Sequence, residues 1–223
     1  MVLVPSYIKQ LDSYKPGKSI QEAKRELGIT NLIKLASNEN PLGPSPKALA
    51  AIKKSFGQLH RYPDAIGYEL RKKLSERFNV KKENVILGAG SEGIMSTIMR
   101  TFLLSDDELI SADNSFIGFR VLANASGRRV HWVPMKNCRY DLQAMAEKIT
   151  DYTKIIYIAN PDNPMGTYVT RDEFNKFYSH VPERVLIILD EAYYEFNGFS
   201  VANLVHDYEN LVVLRTFSKW AGL

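Results

Sequence analysis

Hydrophobic positions change their period several times along this chain, and each change marks an element. Short apolar runs at residues 85–88, 109–112, 130–134, 154–159, 185–189 and 211–215 read as strands. Elsewhere apolar residues recur at three- and four-residue spacing: Ala48, Leu49, Ile52 and Phe56; Leu70, Leu74 and Phe78; Ile94, Met95, Ile98, Met99 and Phe102. These predict a helix opening after Ser45, with Pro46 in its first position, and helices over 68–78 and 93–103. Further helical patterns cover 116–126, 142–149 and 170–181. The last opens on TRDE, in which Thr170 and Glu173 can each satisfy a free backbone N–H. The first 40 residues carry little periodicity beyond a short helix at 19–27 and read as an arm that packs onto something else.

From residue 85 onwards strand and helix alternate, and runs such as VLIIL (185–189) are apolar on both faces, as a central strand covered by helices must be. The pattern predicts an α/β fold with a mainly parallel sheet between two helical layers. Ligands should collect at the carboxyl ends of its strands. The chain divides on this reading into a segment 1–40 and a large domain 41–223.

Composition narrows the function. At 223 residues and 45% hydrophobic content the chain can bury a substantial core. Lys and Arg number 29 against 25 Asp and Glu, and the basic residues are scattered through amphipathic stretches such as RKKLSERF. That argues against a nucleic-acid binder and suits anionic small ligands. The single cysteine, Cys138, excludes an internal disulfide, fits a reducing compartment and reads as an inert core thiol. His60, His131, His180 and His206 lie far apart with no partner at metal spacing, so no metal is expected. Apolar runs reach only five residues, as at 185–189, too short for a membrane span, and the opening residues with Pro5 are unlike a secretory signal. A cytoplasmic location is expected.

The stretch VILGAGSEGIM (85–95) holds the pattern G-x-G-x-x-G. Glycines leading into a helix present unpaired N–H groups and a positive dipole end to an anion. On this hexapeptide alone several readings stay open. A dinucleotide site would want an acidic residue farther on, and Asp113 is near the right place; AGSEG is one residue from a nucleophile elbow, which would make Ser91 reactive; a turn made for packing looks similar. Later strand ends decide among them: NPDNPMG (160–166), DEAY (190–193) and RTFSK (215–219) are polar clusters that a plain core would not want. In VLIILDEAY the apolar run leads straight into Asp190, whose charge in a poorly solvated place needs a partner. A protonated pyridine nitrogen suits it, and the amine of Lys219 could condense with an aldehyde.

The segments KLASNENPLGPSP (34–46), RYPD (61–64), GAGSEG, NPDNPMG, DEAYYEF (190–196) and RTFSK, in this order, resemble the fold-type I pyridoxal-phosphate aminotransferases of class I/II. NENPLG and RYP narrow the resemblance to the histidinol-phosphate branch, which shares them with threonine-phosphate decarboxylases and some aromatic aminotransferases. The resemblance implies a homodimeric transaminase of histidine biosynthesis that exchanges an amino group between L-histidinol phosphate and 2-oxoglutarate. It also implies the site. Lys219 carries the cofactor and shuttles the proton at the substrate α-carbon, Asp190 pairs with the ring nitrogen, and Tyr193 and Asn163 donate to the cofactor's phenolate oxygen. Asn163 also touches the substrate carboxylate. Phe116 stacks on the ring; Gly90, Ser91 and Glu92 open the helix that holds the phosphate, helped by Ser218 and Thr216; Tyr62 reaches that phosphate from the neighbouring subunit. Tyr14 and residues 38–43, among them Asn38 and Asn40, line the substrate entrance.

Three positions depart from the family pattern: Met165 stands where threonine is usual, Asp162 where asparagine is, and Ser91 where aspartate is frequent. None replaces a residue of the chemistry. The resemblance further implies a longer protein, because members of the family continue past the lysine into an arginine for the phosphate and a C-terminal small domain. A non-catalytic binding module on the same scaffold is disfavoured, since Lys219, Asp190, Asn163 and Tyr193 all remain. A nicotinamide dehydrogenase ranks lower still.

Overall fold

The computed structural model describes residues 3–11, 17–198 and 200–223, so the expected substrate residue Tyr14 lies outside the described residues. In chain order the elements are α1 (Ser6–Lys9), α2 (Ile20–Leu27), α3 (Pro46–Ser55), α4 (Tyr68–Phe78), α5 (Gly90–Phe102), β1 (Glu108–Ala112), α6 (Ile117–Ala125), β2 (Arg129–Val133), α7 (Leu142–Glu147), β3 (Thr153–Ala159), α8 (Arg171–Tyr178), β4 (Leu186–Asp190), α9 (Tyr194–Asn197) and β5 (Leu211–Leu214). They form two units, Met1–Leu11 with Arg61–Thr216, and Asp12–His60 with Phe217–Leu223. Residues 41–60 and 217–223 thus fall in the second unit.

The first unit contains a parallel sheet in the order β2-β1-β3-β4-β5. Its strands are apolar on both faces because both faces are covered, and the side chains alternate between two cores. Ile110, Ile156, Ile158, Ile187 and Leu189 point to one, where Met145 of α7 and Phe174 and Phe177 of α8 pack. Leu109, Ile155, Tyr157, Ala159 and Ile188 point to the other, against Met95, Ile98 and Met99 of α5 and Phe119 of α6. Helix, sheet and helix layers follow directly from this period of two.

Local signals act as expected at several ends. Ser45 accepts from the Ala48 N–H with Pro46 in the first turn, and the Thr170–Glu173 capping box closes α8 at both of its bonds. In the second unit, α2 is closed by a capping box of Ser19 and Glu22 and ends on Gly28 at φ 65°.

Two expectations fail here. The strand predicted at 85–88 does not form: Val85 is extended (φ −104°, ψ 121°), yet no neighbouring strand pairs with this run among the described residues, and Ile86 is 75% exposed. Apolar character without a ladder partner leaves an extended segment. Cys138 is not a core thiol but exposed, because Asn137 and Cys138, both at positive φ, make the tight turn between the bridged residues Lys136 and Arg139. The backbone demand of the turn overrides the usual preference of cysteine for burial.

Candidate active site

Strand order places the site. The chain passes from β1 outward to β2 and then returns to the other side of β1 for β3, so the winding reverses between β1 and β3. The crevice beyond the carboxyl ends of such strands is where open α/β sheets bind ligands. Register puts Ala159 beside Asp190 and Asp190 beside Leu214, so the loops at 160–166, 190–193 and 215–216 leave the sheet side by side. Asp113 and Phe116 follow β1 on the near side of the same reversal. Asn163, Asp190, Tyr193, Phe116 and Thr216 are therefore gathered at one edge of the sheet in the first unit.

Hydrogen bonds tie the two sides of the reversal together. Ser115 Oγ donates to Asp162 Oδ1 at 2.6 Å, and it lies 2.5 Å from the Tyr140 hydroxyl, which accepts from the Ala159 N–H at 2.9 Å. The other oxygen of Asp162 accepts from the Met165 N–H at 3.0 Å, while its backbone pairs with Thr167 and Gly166. A carboxylate here offers two acceptor oxygens to two donors, where the amide of asparagine would offer one. Asp162 thus shapes the turn that presents half-buried Asn163. Below it, Asn160 and Val169 exchange two bonds at 3.0 and 2.7 Å, which anchors the loop as a strand pair would.

Asp190 ends β4 at 3% exposure. The Tyr157 hydroxyl donates to Oδ2 at 3.0 Å and the Ala192 N–H to Oδ1 at 3.2 Å. Burial and the Asp190 charge push the Tyr157 phenol well above its ordinary range, and burial does the same at Tyr140. Both therefore stay protonated and can donate.

Helix α5 begins at Gly90, earlier than its apolar period alone predicts, with Gly90 at φ 68° and open space where a side chain would stand. No side chain caps it, and the backbone N–H groups of Ser91 and Glu92 have no hydrogen-bond partner among the described residues. Its C-terminus leads by a short turn into the start of β1. A helix of 13 residues spans about 20 Å, the length of the strands it covers, so its N-terminus points to the carboxyl edge. Phe116, half-buried at the start of α6, lies over Gly118, where a Cβ would come within 2.6 Å of the ring. Tyr193 opens α9 and Thr216 follows β5, both half-buried, whereas Tyr62 is fully exposed at 102%.

A buried ion pair lies beside these groups and was not singled out by sequence pattern. Glu191 accepts from Arg215 at 2.7 Å, from Ser200 Oγ at 2.8 Å and from the Val201 N–H at 2.8 Å, while the Arg215 guanidinium stacks 3.2 Å above the Tyr194 ring. Burial pushes the Glu191 carboxyl up, opposed by the Arg215 charge. Its sequence signal was a second acid directly after the apolar run of β4, which a buried strand end accepts only with a partner.

Lys219, Ser218, Asn38 and Asn40 belong to the second unit. Lys219 is half-buried and Ser218 exposed; Asn38 is exposed at φ 51°. The Asn40 side-chain amide donates to the Trp220 carbonyl at 2.8 Å and its oxygen accepts from the Leu42 N–H at 3.0 Å. Asn40 therefore ties the NENPLG loop to the residue next to Lys219.

Sheet order with a winding reversal, an open helix start and a buried carboxylate at the same carboxyl edge define a doubly wound α/β protein with a ligand site at its strand ends. Residues 30–223 match the family described as Aminotransferase class I and II, and the chain belongs to that family. It is 43% identical over 228 residues to a histidinol-phosphate aminotransferase of Anaeromyxobacter sp. (strain Fw109-5), covering 100% of this chain and 63% of the relative. A histidinol-phosphate aminotransferase of Geobacillus sp. (strain WCH70) is 41% identical, with 99% and 61% covered. Among solved structures, the histidinol-phosphate aminotransferase of Sinorhizobium meliloti in complex with pyridoxal 5'-phosphate matches with a TM-score of 0.88 at 26% identity, over 100% of this chain and 61% of that one. The chain thus spans about three fifths of the length of these relatives.

Proposed function

We propose that the chain carries the cofactor-binding part of a pyridoxal-phosphate-dependent transaminase that converts L-histidinol phosphate and 2-oxoglutarate to imidazole acetol phosphate and L-glutamate. The names of its relatives at about 40% identity support the substrate pair. One observation carries the chemistry: a buried carboxylate, Asp190, and an uncapped helix N-terminus, Ser91 and Glu92, stand at the same edge of one sheet. The first suits a cationic ring nitrogen and the second a phosphate, so the residues present fit this cofactor.

When bound, pyridoxal phosphate supplies an aldehyde that condenses with amines and a ring that accepts electrons from the substrate α-carbon. The protein's share is assigned residue by residue. The Ser91 and Glu92 N–H groups bind phosphate beside Gly90, whose missing side chain leaves the approach open, with the Ser218 and Thr216 hydroxyls assisting. Asp190 holds a proton at the ring nitrogen. Tyr193 Oη and Asn163 Nδ2 donate to the phenolate oxygen, and Phe116 lies on the ring face. Lys219 Nζ takes the proton from the substrate α-carbon and returns it. Asn38 and Asn40 border the substrate.

The active unit is a homodimer, in which the fully exposed Tyr62 ring reaches the phosphate of the second copy. The cytoplasm suits its single cysteine. The polypeptide as its gene encodes it, given histidinol phosphate and 2-oxoglutarate, should release glutamate. Carbon dioxide without glutamate would overturn the assignment. A visible absorbance band should form on adding pyridoxal phosphate and be absent in Lys219→Ala.

A further inference from the structure

Tyr157 lies in the middle of β3, where a sequence pattern reads it as packing. Its ring has no exposure, stacks on Phe119 at 4.0 Å and 9°, and is braced through Phe119 by the edge of Trp132 at 6.4 Å. A phenol clamped this way has little rotational freedom. Its oxygen meets Asp190 Oδ2 at 3.0 Å, one strand over, while the Ala192 N–H holds Oδ1. Each carboxylate oxygen therefore accepts a hydrogen bond, one from the strand alongside and one from its own turn.

The titratable groups that act on Tyr157 are Asp190 on β4, Tyr140 ahead of α7 and Asp162 in the loop after β3. The elements packed on the same face contribute apolar side chains, Met95 and Ile98 from α5, Phe119 from α6 and Leu214 from β5. A neutral donor on a buried carboxylate stabilises its ionised form.

We propose that Tyr157 is a positioning residue whose hydroxyl orients Asp190 and keeps it ionised, so that the carboxylate faces a cationic ring nitrogen as an anion down to mildly acidic pH. This rests on the role given to Asp190 above. Without the hydroxyl, Asp190 is a more basic carboxyl in the same apolar place. It takes up a proton at higher pH and loses its hold on a cation there.

The test measures cofactor affinity by absorbance titration between pH 5 and pH 8 in the polypeptide as encoded. Tyr157→Phe keeps the ring and its stacking. Its affinity should fall about tenfold near pH 6, and the acid limb of the profile should move up by about one unit. The melting temperature of the cofactor-free protein should change little. Phe177→Leu, which loosens only the core on the other face of the sheet, should lower that melting temperature and leave the limb in place. Should the phenylalanine variant not fold, 3-fluorotyrosine placed at 157, a stronger donor, should move the limb the opposite way. An unmoved limb in both variants overturns the proposal. Asp190→Asn separates it from the assignment beneath: if that variant binds cofactor as tightly as the parent with the same limb, the role of Asp190 falls and this inference with it. If Asp190→Asn loses affinity while Tyr157→Phe does not, the inference alone falls.

Discussion

Glu108 and Asp190 are buried carboxylates at opposite ends of the sheet, and each is held by a different kind of partner. Burial pushes the Glu108 carboxyl up, but hydrogen bonds from His131 Nε2 and Thr150 Oγ1, both at 2.8 Å, and the neighbouring charges of His131 and Arg129 outweigh it, so it titrates below its ordinary 4.5. A depressed folded value means that the unfolded chain takes up this proton first. The stability it contributes is present above pH 4.5 and is lost as pH falls through the folded value. Glu108→Gln should lose about 2 kcal/mol at pH 7, and its stability should fall less steeply than the parent's below pH 4.5, measured by urea denaturation at each pH. At this scale legibility depended on contrast. Asp190 was readable because a charge follows an unbroken apolar run. Tyr157 was not, since one hydroxyl within KIIYIA looks like packing until its acceptor on the next strand is known. Cys138 misled because side-chain preference says nothing of a turn that needs positive φ.

Helices α5 and α8 have opposite starts. The Thr170–Glu173 box closes α8, whereas α5 opens on glycine with no side-chain cap. Thr170→Ala should therefore destabilise the protein by about 1 kcal/mol in denaturant without altering cofactor affinity. Ala89→Asp should do the reverse. A carboxylate at the α5 cap satisfies the free N–H groups and adds about 0.5–1 kcal/mol of stability, yet it opposes a phosphate with like charge, so affinity for pyridoxal phosphate should drop tenfold or more. Equal affinity in the variant would remove α5 from the phosphate site. Elements of this kind were largely visible in the sequence: α4 spans the predicted 68–78, and five of six predicted strands form, because buried parallel strands leave apolar runs that nothing else explains. The run at 85–88 failed for a reason no local pattern contains, namely whether a partner strand lies alongside.

The division of the whole molecule was not legible, because residues 12–60 and 217–223 join across a long sequence separation without any shared period. It separates the sheet, with Asp190 and α5, from the segment that bears Lys219. Contacts that fasten that segment within its own unit include the Asn40 amide on the Trp220 carbonyl at 2.8 Å, the Leu223 N–H on the Phe217 carbonyl at 3.1 Å, and Gly222 against the loop at Gly43. Gly222 has φ 63°, and a Cβ there would stand 3.0 Å from the Gly43 carbonyl carbon. Gly222→Ala is thus opposed twice, by about 1 kcal/mol of left-handed strain and by backbone that cannot give way. Asn40→Ala removes the tether without strain. A lysine that must meet an aldehyde in one geometry needs its segment held, so loosening should slow its reaction while the sheet unit keeps its stability. Borohydride reduction after addition of pyridoxal phosphate, followed by peptide mapping, should place the label on Lys219 in the parent. The initial labelling rate should fall about threefold or more in both variants, by the loss of one hydrogen bond or the gain of comparable strain. Label on another lysine would remove Lys219 from the chemistry, and an unchanged rate in Asn40→Ala would show that the NENPLG loop does not position it.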